Sequence, residues 1–311
     1  MSQLDIILVS YNTAEYTQRA IASVYAETKA TDINLIMVDN NSQDNSVALI
    51  EAQFPEVTII QTGANLGFAG GVNIGAKASQ SDFILLLNPD TVILDGAIDK
   101  LMAFAGRRPD AGIWGGITLN NDLSLNPNNA RARLSFQTLL FSALGLSKLF
   151  KHSCFFNRDN YGCWDRTSER AVDVVTGCFF LTPRKLWEEL GGLDETFFMY
   201  AEEADYCLRA IKKGYQPRVT PEARIIHHGG VSETNVSGKM LKLLKGKAEL
   251  INKHAHAWQK PLYKTLLLTH VANKTLALNL ASLFKPAKIP LRDEWRRVLA
   301  QRKEWLKGYQ T

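Results

Sequence analysis

The chain has 311 residues, of which 46% are hydrophobic and 22% are charged, and this composition excludes disordered, collagen-like and fibrous proteins. Its length accommodates one sizeable α/β domain with an appendage, or two small domains, and no run approaches the roughly 18 apolar residues of a membrane-spanning helix. The net charge of +5 is divided unevenly, because residues 1–230 carry 20 Lys and Arg against 26 Asp and Glu, and residues 231–311 carry 16 against 5. We therefore predict an acidic main domain over 1–230 and a basic extension over 231–311 that has its own electrostatic partner.

Short apolar runs alternate with helical segments through the first half of the chain. Predicted strands cover residues 4–10, 34–39, 57–60 and 83–87. Predicted helices cover residues 14–27 and 44–53, and a third helix opens in the glycine-rich stretch 63–71 and runs to residue 78. This alternation is typical of a parallel sheet that is covered by helices on both faces.

Polar side chains follow three of these strands: Ser10 and Asn12 after the first, Asp39 after the second, and Asn88 and Asp90 after the fourth. Each of these residue types is common in ordinary turns, so no single position indicates a site. Ligands of such sheets, however, bind beyond the carboxyl ends of the strands. The convergence of five polar residues on that edge therefore favours a binding site.

Two nucleotide-binding classes do not fit this pattern. A dinucleotide-binding oxidoreductase has closely spaced glycines directly after its first strand, whereas residues 10–13 contain none. The glycine-rich stretch comes after the third strand and lacks the Gly-Lys-Ser/Thr ending of a nucleoside triphosphatase loop.

Two features bear on the compartment. The four cysteines (Cys154, Cys163, Cys178 and Cys207) have spacings that fit neither a zinc site nor a disulfide scaffold, so we expect reduced, mostly buried thiols. The first residues lack the basic and then apolar run of a secretion signal, which predicts a cytoplasmic protein.

The second half carries acidic side chains and a histidine pair. Residues 172–175 and 178–181 are predicted strands, and a helix is predicted to begin near Glu202 and Glu203, after the aromatic run 197–200. Carboxylates at a helix start can have a purely structural role, because the helix dipole stabilises negative charge there. Aromatic surroundings, however, raise the pKa of a carboxyl towards the range that suits a general base. A later strand ends at His227 and His228; adjacent strand residues point to opposite faces, so at most one of them reaches a shared site.

Six short sequence blocks, taken together and in this order, resemble glycosyltransferase family 2. The resemblance spans residues 4–230 and is strongest to the bacterial rhamnosyltransferase-type members. The blocks are Val9-Ser10-Tyr11-Asn12, Val38-Asp39-Asn40-Asn41-Ser42, Asn65 to Gly71, Leu87-Asn88-Pro89-Asp90, Gly191 to Glu195, and Glu202 to Asp205. The resemblance implies a GT-A fold and an inverting sugar transfer from a nucleotide-sugar donor, dTDP- or UDP-linked, with dTDP-L-rhamnose favoured. It also implies a divalent cation, Mg²⁺ or Mn²⁺, and a glycan or lipid-linked acceptor of surface-polysaccharide synthesis.

Individual roles follow from the same resemblance, position by position. Donor-binding positions are Ser10, Asn12, Asp39, Asn65, Asn73 and Asn88. Asp90 matches a metal ligand, and His227 matches a position near the metal, with His228 as the alternative. Glu203 matches the catalytic base, although that position is more often Asp, so the choice between Glu202 and Glu203 stays open.

The basic extension is predicted to be mostly helical over 236–307, with breaks near Pro261, Pro286 and Pro290. Its apolar stretch 266–284 is too polar to span a bilayer and is flanked by Lys and Arg. Such a segment suits an anionic membrane surface at the inner face of the cell membrane, or packing onto protein, including a homodimer. We expect no nucleic acid partner.

Two other functions compete with this interpretation. A nucleotidyltransferase also uses an α/β sheet and carboxylate-bound Mg²⁺, but it needs a basic glycine-rich loop after the first strand, which this sequence lacks. A catalytically inactive nucleotide-sugar-binding subunit is suggested by the departures from the family pattern at Asn88 and Glu203.

Overall fold

The computed structural model describes residues 3–229 and 235–309. The strands in this part of the chain are β1 (Leu4–Ser10), β2 (Ile33–Asp39), β3 (Thr58–Gln61), β4 (Phe83–Leu87), β5 (Thr91–Leu94), β6 (Trp114–Leu119), β7 (Leu125–Asn126), β8 (Ala130–Arg131), β9 (Arg170–Ala171), β10 (Val174–Val175), β11 (Phe179–Pro183) and β12 (Arg218–His227). The helices are α1 (Ala14–Glu27), α2 (Ser46–Gln53), α3 (Gly67–Ala78), α4 (Ala97–Arg107), α5 (Phe136–Ala143), α6 (Leu146–Leu149), α7 (Arg184–Leu190), α8 (Glu202–Lys212), α9 (Val236–His254), α10 (Gln259–Phe284), α11 (Ile289–Ala300) and α12 (Arg302–Trp305).

These elements form two compact units. Among the described residues, the first unit comprises 3–131, 166–198 and 202–229, and the second comprises 132–165, 199–201 and 235–309. The structure thus adds residues 132–165 and 199–201 to the C-terminal helices that we predicted as a separate extension. The functional division at residue 230 stays a prediction.

The first unit is built on a sheet with the strand order β3-β2-β1-β4-β11-β6-β12-β5. Four of the seven strand pairs along this path are parallel, which confirms the mostly parallel sheet. Strand β11 runs antiparallel to β4, with Phe179 opposite Leu87. Because β11 begins where β4 ends, the residues just before β11 lie beside the polar residues that follow β4.

Close packing of α3 on the sheet explains part of the glycine-rich stretch. A methyl group added at Gly71 would stand 2.8 Å from Val9 Cγ1, and one added at Gly75 would stand 2.6 Å from Ile7 Cγ2. These distances are shorter than real contacts, so larger residues would force α3 away from β1. The glycines therefore hold the start of α3 near the carboxyl ends of β1 and β2.

The second unit has its own apolar core. Side chains from α5 and α9 to α12 form it, with Trp305, Val271 and Ile251 essentially inaccessible to solvent. The helical breaks fall at residues 255–258, before Pro261, and at 285–288, while Pro290 lies in the first turn of α11. Within the described ranges, no helix has both the length and the apolar character needed to cross a membrane.

Our expectation of four reduced thiols is wrong for two of them. The structure joins Cys154 to Cys163 in a disulfide within the second unit. Cys178 and Cys207, in the first unit, are unbonded and buried as expected.

Candidate functional site

The loops after β1 and β2 are fastened to each other. Asn12 has a positive φ of 54°, its side-chain oxygen accepts a hydrogen bond of 2.7 Å from the Gln43 amide, and its own amide donates to Ser42 Oγ at 2.9 Å. Asp39 Oδ2 accepts a 3.1 Å bond from the Ser42 amide. Asn12 and Asp39 therefore shape one turn at the carboxyl edge of the sheet.

Asp39 also holds an unsatisfied acceptor. Its side chain is 3% exposed, and its Oδ1 is buried without a hydrogen-bond partner among the described residues. Buried polar atoms are nearly always hydrogen-bonded, so an orphan acceptor next to a shaped loop indicates a missing donor. Asp39 Oδ1 therefore lacks a donor, which a bound ligand could supply.

Ser10 lies deeper than the sequence suggested. It is fully buried, and its Oγ bonds to the hydroxyls of Thr13 at 3.1 Å and Thr17 at 3.0 Å. Its hydroxyl therefore supports the beginning of α1, with no exposed surface for a ligand.

Asn40 organises the glycine-rich loop. Its side-chain amide donates to the Gly67 carbonyl at 2.9 Å and to Asn65 Oδ1 at 3.2 Å, and its side-chain oxygen accepts from the Leu66 amide at 3.1 Å. Asn65 Oδ1 also accepts from the Gly67 amide at 3.0 Å. Sequence reasoning gave Asn40 no role, although it lies in the block that contains Asp39.

Gly67 permits a close approach at the start of α3. Its φ is +73°, and a methyl group there would overlap the carbonyl oxygen of Phe198. The Phe68 amide donates to that same carbonyl at 2.9 Å. The segment that leads towards α8 is therefore fixed on the glycine-rich loop.

Asn73 binds a different loop. Its side-chain amide donates to the Leu193 carbonyl and to Glu195 Oε1, both at 2.9 Å, and its side-chain oxygen accepts from the Leu193 amide at 3.0 Å. Nearby Gly192 has a φ of +73°, and a methyl group there would stand 2.6 Å from Asn73 Oδ1. The Asn73 side chain thus fixes the loop between α7 and α8.

Asp90 and His227 meet at the end of β4. The distance from His227 Nε2 to Asp90 Oδ1 is 3.2 Å, and Asn88 Nδ2 lies 3.4 Å from the same imidazole nitrogen. His228 points elsewhere: its ring packs edge-on against Tyr16, with the ring centroids 5.3 Å apart. Of the two histidines, the structure therefore brings His227 to Asp90.

Both members of this pair have shifted pKa values. Burial works to raise the pKa of Asp90, but the hydrogen bond and charge of His227 hold it below the usual range. Burial works to lower the pKa of His227, but Cys178 and the Asp90 carboxylate raise it to about 10. Without a cation, the two side chains therefore form a charged pair at neutral pH, and His227 must lose its proton before its imidazole nitrogen can bind a metal ion.

The donor set fits a cation that is shared with a substrate. Among the described residues, no group of three His, Cys, Asp or Glu is arranged to hold a metal ion. Asp90 and His227 supply one carboxylate and one imidazole whose atoms converge. Mg²⁺ and similar ions are commonly held by one or two protein ligands, with substrate phosphates completing the shell.

Helix α8 begins with two carboxylates in different environments. Glu202 is 4% exposed, its Oε2 is buried without a partner among the described residues, and burial followed by the charge of Glu203 raises its pKa well above 4.5. Glu203 is half-buried. Burial therefore favours the neutral form of Glu202, and Glu203 is the more exposed member of the pair.

The dipeptide Gly177-Cys178 lies between this helix and the end of β4. A methyl group at Gly177 would stand 3.6 Å from Glu203 Cβ, and the Cys178 carbonyl accepts a 3.1 Å bond from the Asn88 amide. Glu203 and the turn Asn88–Asp90 are thus linked through the contacts of these two adjacent residues.

Comparison with known proteins identifies the family. The family model described as Glycosyl transferase family 2 matches residues 5–191. The N-acetylglucosaminyl-diphospho-decaprenol L-rhamnosyltransferase of Mycobacterium tuberculosis is 27% identical over 281 residues, which cover 85% of this chain and 89% of that protein.

Two solved structures show the same fold at low identity. The mannosyltransferase PcManGT from Pyrobaculum calidifontis, in complex with GDP-Man and Mn²⁺, has a TM-score of 0.59 at 14% identity and covers 99% of this chain and 86% of its own. GalNAc-T7 with UDP, GalNAc and Mn²⁺ has a TM-score of 0.61 at 13% identity, with 86% and 51% covered. The GT-A fold is thereby confirmed, and with the family match over residues 5–191 the chain belongs to glycosyl transferase family 2.

Proposed function

We propose that this glycosyltransferase is metal-dependent and inverting, and that it transfers L-rhamnose from dTDP-L-rhamnose to a lipid-linked or glycan acceptor of surface-polysaccharide synthesis. The observation that carries the proposal is the pair of contacts made by Gly177-Cys178: Gly177 lies next to Glu203, and the Cys178 carbonyl bonds to the turn that contains Asp90, the partner of His227. The sugar and the acceptor are favoured by the mycobacterial relative, whose name specifies an L-rhamnosyltransferase acting on a lipid-linked N-acetylglucosamine.

The donor nucleotide is assigned to the loops after β1, β2 and β3. Thymine and uracil both carry an imide N–H, which is the donor that the orphan Oδ1 of Asp39 lacks. Asn12, Asn65 and Asn88 line the same edge and are proposed to contact the ribose and diphosphate. Ser10 and Asn73, whose side chains are bonded within the protein, are proposed to support this site through the backbone that they hold.

Asp90 would hold Mg²⁺ or Mn²⁺ through its carboxylate, and His227 would join it through an imidazole nitrogen that has lost its proton. When bound, the cation would neutralise the charge that develops on the departing nucleoside diphosphate. The Asn88 amide beside the imidazole would bind a diphosphate oxygen or a water in the same shell.

Glu203 is proposed as the general base. It would accept the proton of the acceptor hydroxyl as that oxygen bonds to the anomeric carbon, while the bond between this carbon and the diphosphate oxygen breaks. A single displacement from the face opposite the leaving group inverts the anomeric configuration. Burial favours the neutral form of Glu202, which would limit the negative charge near the attacking oxygen.

The donor assignment is tested by thermal unfolding of the full chain with dTDP-, UDP- and GDP-linked sugars. At about 100 times its dissociation constant, a ligand stabilises by about 2.7 kcal/mol, so we expect dTDP-L-rhamnose to raise the unfolding temperature by roughly 5 °C in the presence of Mn²⁺.

Release of dTDP in the presence of a lipid-linked N-acetylglucosamine acceptor should accompany this shift. Asp39→Ala should abolish the shift, while Asp32→Ala, at an exposed position in the same domain, should not. Stabilisation without turnover would instead favour an inactive binding subunit, and a shift by another donor alone would contradict the rhamnose assignment.

We also propose that the second unit binds an anionic membrane surface. Four large apolar side chains on the C-terminal half of α10 recur at helical spacing and are 55–84% exposed: Leu276, Leu280, Leu283 and Phe284. Lys274 precedes this stretch by two residues and Lys285 directly follows it, and the pKa of Lys274 is lowered by burial and by the nearby charges of Lys148 and Lys288. An apolar face with a basic rim is typical of interfacial helices.

This second proposal predicts that the full chain floats with phosphatidylglycerol vesicles but not with phosphatidylcholine vesicles, and that 0.5 M salt weakens the binding. Replacing both Leu283 and Phe284 with Asp should reduce the vesicle-bound fraction by at least tenfold, because it removes buried apolar area and adds repulsion.

Leu123→Asp is the matched control, since Leu123 is 61% exposed in the first unit. If the wild type does not bind vesicles but forms a dimer, and the Leu283 and Phe284 variant is a monomer, the same face serves self-association instead.

A further inference from the structure

The two residues before α8 have a strained backbone. Tyr200 and Ala201 have φ angles of +69° and +81°, in the left-handed region that side chains with a Cβ disfavour. Such conformations persist only where the surrounding structure holds them, and they concentrate at functional sites. Ala201 directly precedes Glu202, so its conformation sets the point at which the helix of the proposed base begins.

One contact that holds this segment comes from Tyr309. Its hydroxyl donates a 2.6 Å hydrogen bond to the Met199 carbonyl. A second contact comes from Gly246 on α9, where a methyl group would stand 2.5 Å from the Tyr200 carbonyl oxygen and 3.1 Å from Ala201 Cβ. Only glycine at this position allows the segment to lie so close to α9.

Tyr309 is itself held in place by α9. Glu249, which is fully buried, accepts a 3.0 Å hydrogen bond from the Tyr309 amide. Asn252 donates a 2.8 Å bond to the Lys307 carbonyl, two residues earlier. Gly246 and Glu249 are three residues apart and share one face of the helix, so the same face of α9 packs on Tyr200 and anchors Tyr309.

We propose that Tyr309 is a positioning residue of the transfer reaction, acting through the Met199 carbonyl on the start of α8. The inference rests on the proposed role of Glu203 as the base. It gives the C-terminal helices an effect on catalysis that is separate from their proposed membrane binding. Without the Tyr309 hydroxyl, Tyr200 and Ala201 leave the left-handed conformation more often. Glu203 then spends less time where it can accept the proton of the acceptor.

The test is Tyr309→Phe in the full chain, because this change removes only the hydroxyl. Amide hydrogen exchange in the peptide that covers 199–208 should become roughly three- to tenfold faster, which is the effect of losing one hydrogen bond on local opening. The kcat should fall about tenfold, since small misplacements of a catalytic group are costly, while the donor KM and the affinity for dTDP with Mn²⁺ stay within about twofold.

Tyr263→Phe is the matched control, because it makes the same change at another buried tyrosine of the second unit. Gly246→Ala, which presses on the Tyr200 carbonyl, should act in the same direction as Tyr309→Phe.

The outcomes separate this inference from the function on which it rests. Unchanged exchange over 199–208 in Tyr309→Phe overturns the positioning role, whatever the activity. Faster exchange with wild-type kcat, or with a dTDP affinity that falls as much as kcat, also overturns it. Faster exchange combined with full activity of Glu203→Gln would leave the structural contact in place and reject Glu203 as the base.

Discussion

Glu203→Gln is expected to lower kcat by roughly 10²- to 10⁴-fold, the usual contribution of a positioned general base. Glutamine keeps the shape of the side chain but cannot accept the proton of the acceptor hydroxyl. Because the donor is bound by other elements, the donor KM should change by no more than about twofold. Steady-state kinetics with the donor and acceptor identified by thermal unfolding and dTDP release would measure both quantities.

Glu202→Gln is the matched control for this prediction. Glu202 is buried, and its raised pKa favours the protonated form, which glutamine resembles. We expect a loss of activity of less than about tenfold. An equal loss in both variants, or full activity of Glu203→Gln, would contradict the assignment of the base.

The pH dependence of unfolding in Glu202→Gln also tests whether the pKa of Glu202 is raised in the folded protein. A carboxyl whose folded-state pKa lies above its unfolded value binds more protons when folded, so its contribution to stability decreases as the pH rises above about 4.5. The variant lacks this titration. The free energy of unfolding of the variant should therefore increase relative to that of the wild type as the pH rises from about 4.5 to the folded-state pKa of Glu202, by at most about 1.4 kcal/mol per pH unit.

The sequence predicted the elements whose pattern is local. Strands β1 and β4 have the predicted bounds, because each is a continuous apolar run that ends in polar turn residues. Strand β6 was not predicted, since Gly115 and Gly116 interrupt its apolar pattern. In the structure these glycines are required: a methyl group at Gly115 would stand 2.5 Å from Val175, and one at Gly116 would overlap the Ala223 carbonyl.

The site was predictable as a set of positions, but the contacts within it were not. The polar residues after β1, β2 and β4 and the histidine near Asp90 lie together because parallel strands end at one edge. The hydrogen bonds that these side chains form depend on which residues the fold places next to them, and no local pattern predicts this. The bonds of Ser10 to Thr17 and of Asn73 to Leu193 are examples. The Cys154–Cys163 disulfide was missed for the same reason.

The second large effect is expected from Asp90→Asn, which removes the carboxylate proposed to hold the cation but keeps the size of the side chain. We expect kcat to fall by at least about 10²-fold and the affinity for Mn²⁺ to decrease at least tenfold. Binding of Mn²⁺ in the presence of dTDP, followed by the electron paramagnetic resonance signal of the unbound ion, measures the site independently of turnover.

The matched control for Asp90→Asn is Asp95→Asn, at the exposed turn that follows β5. Asp95 has a φ of +47°, a conformation that asparagine also adopts readily, so this variant should bind Mn²⁺ and turn over like the wild type. In Asp90→Asn the half-buried His227 loses its charged partner, which lowers the pKa of its imidazole and favours the neutral form, so we expect the variant to fold. A reduced circular dichroism signal would therefore assign the loss of activity to misfolding. Unchanged Mn²⁺ binding and turnover in a folded Asp90→Asn would show that the cation, if the reaction uses one, is held elsewhere.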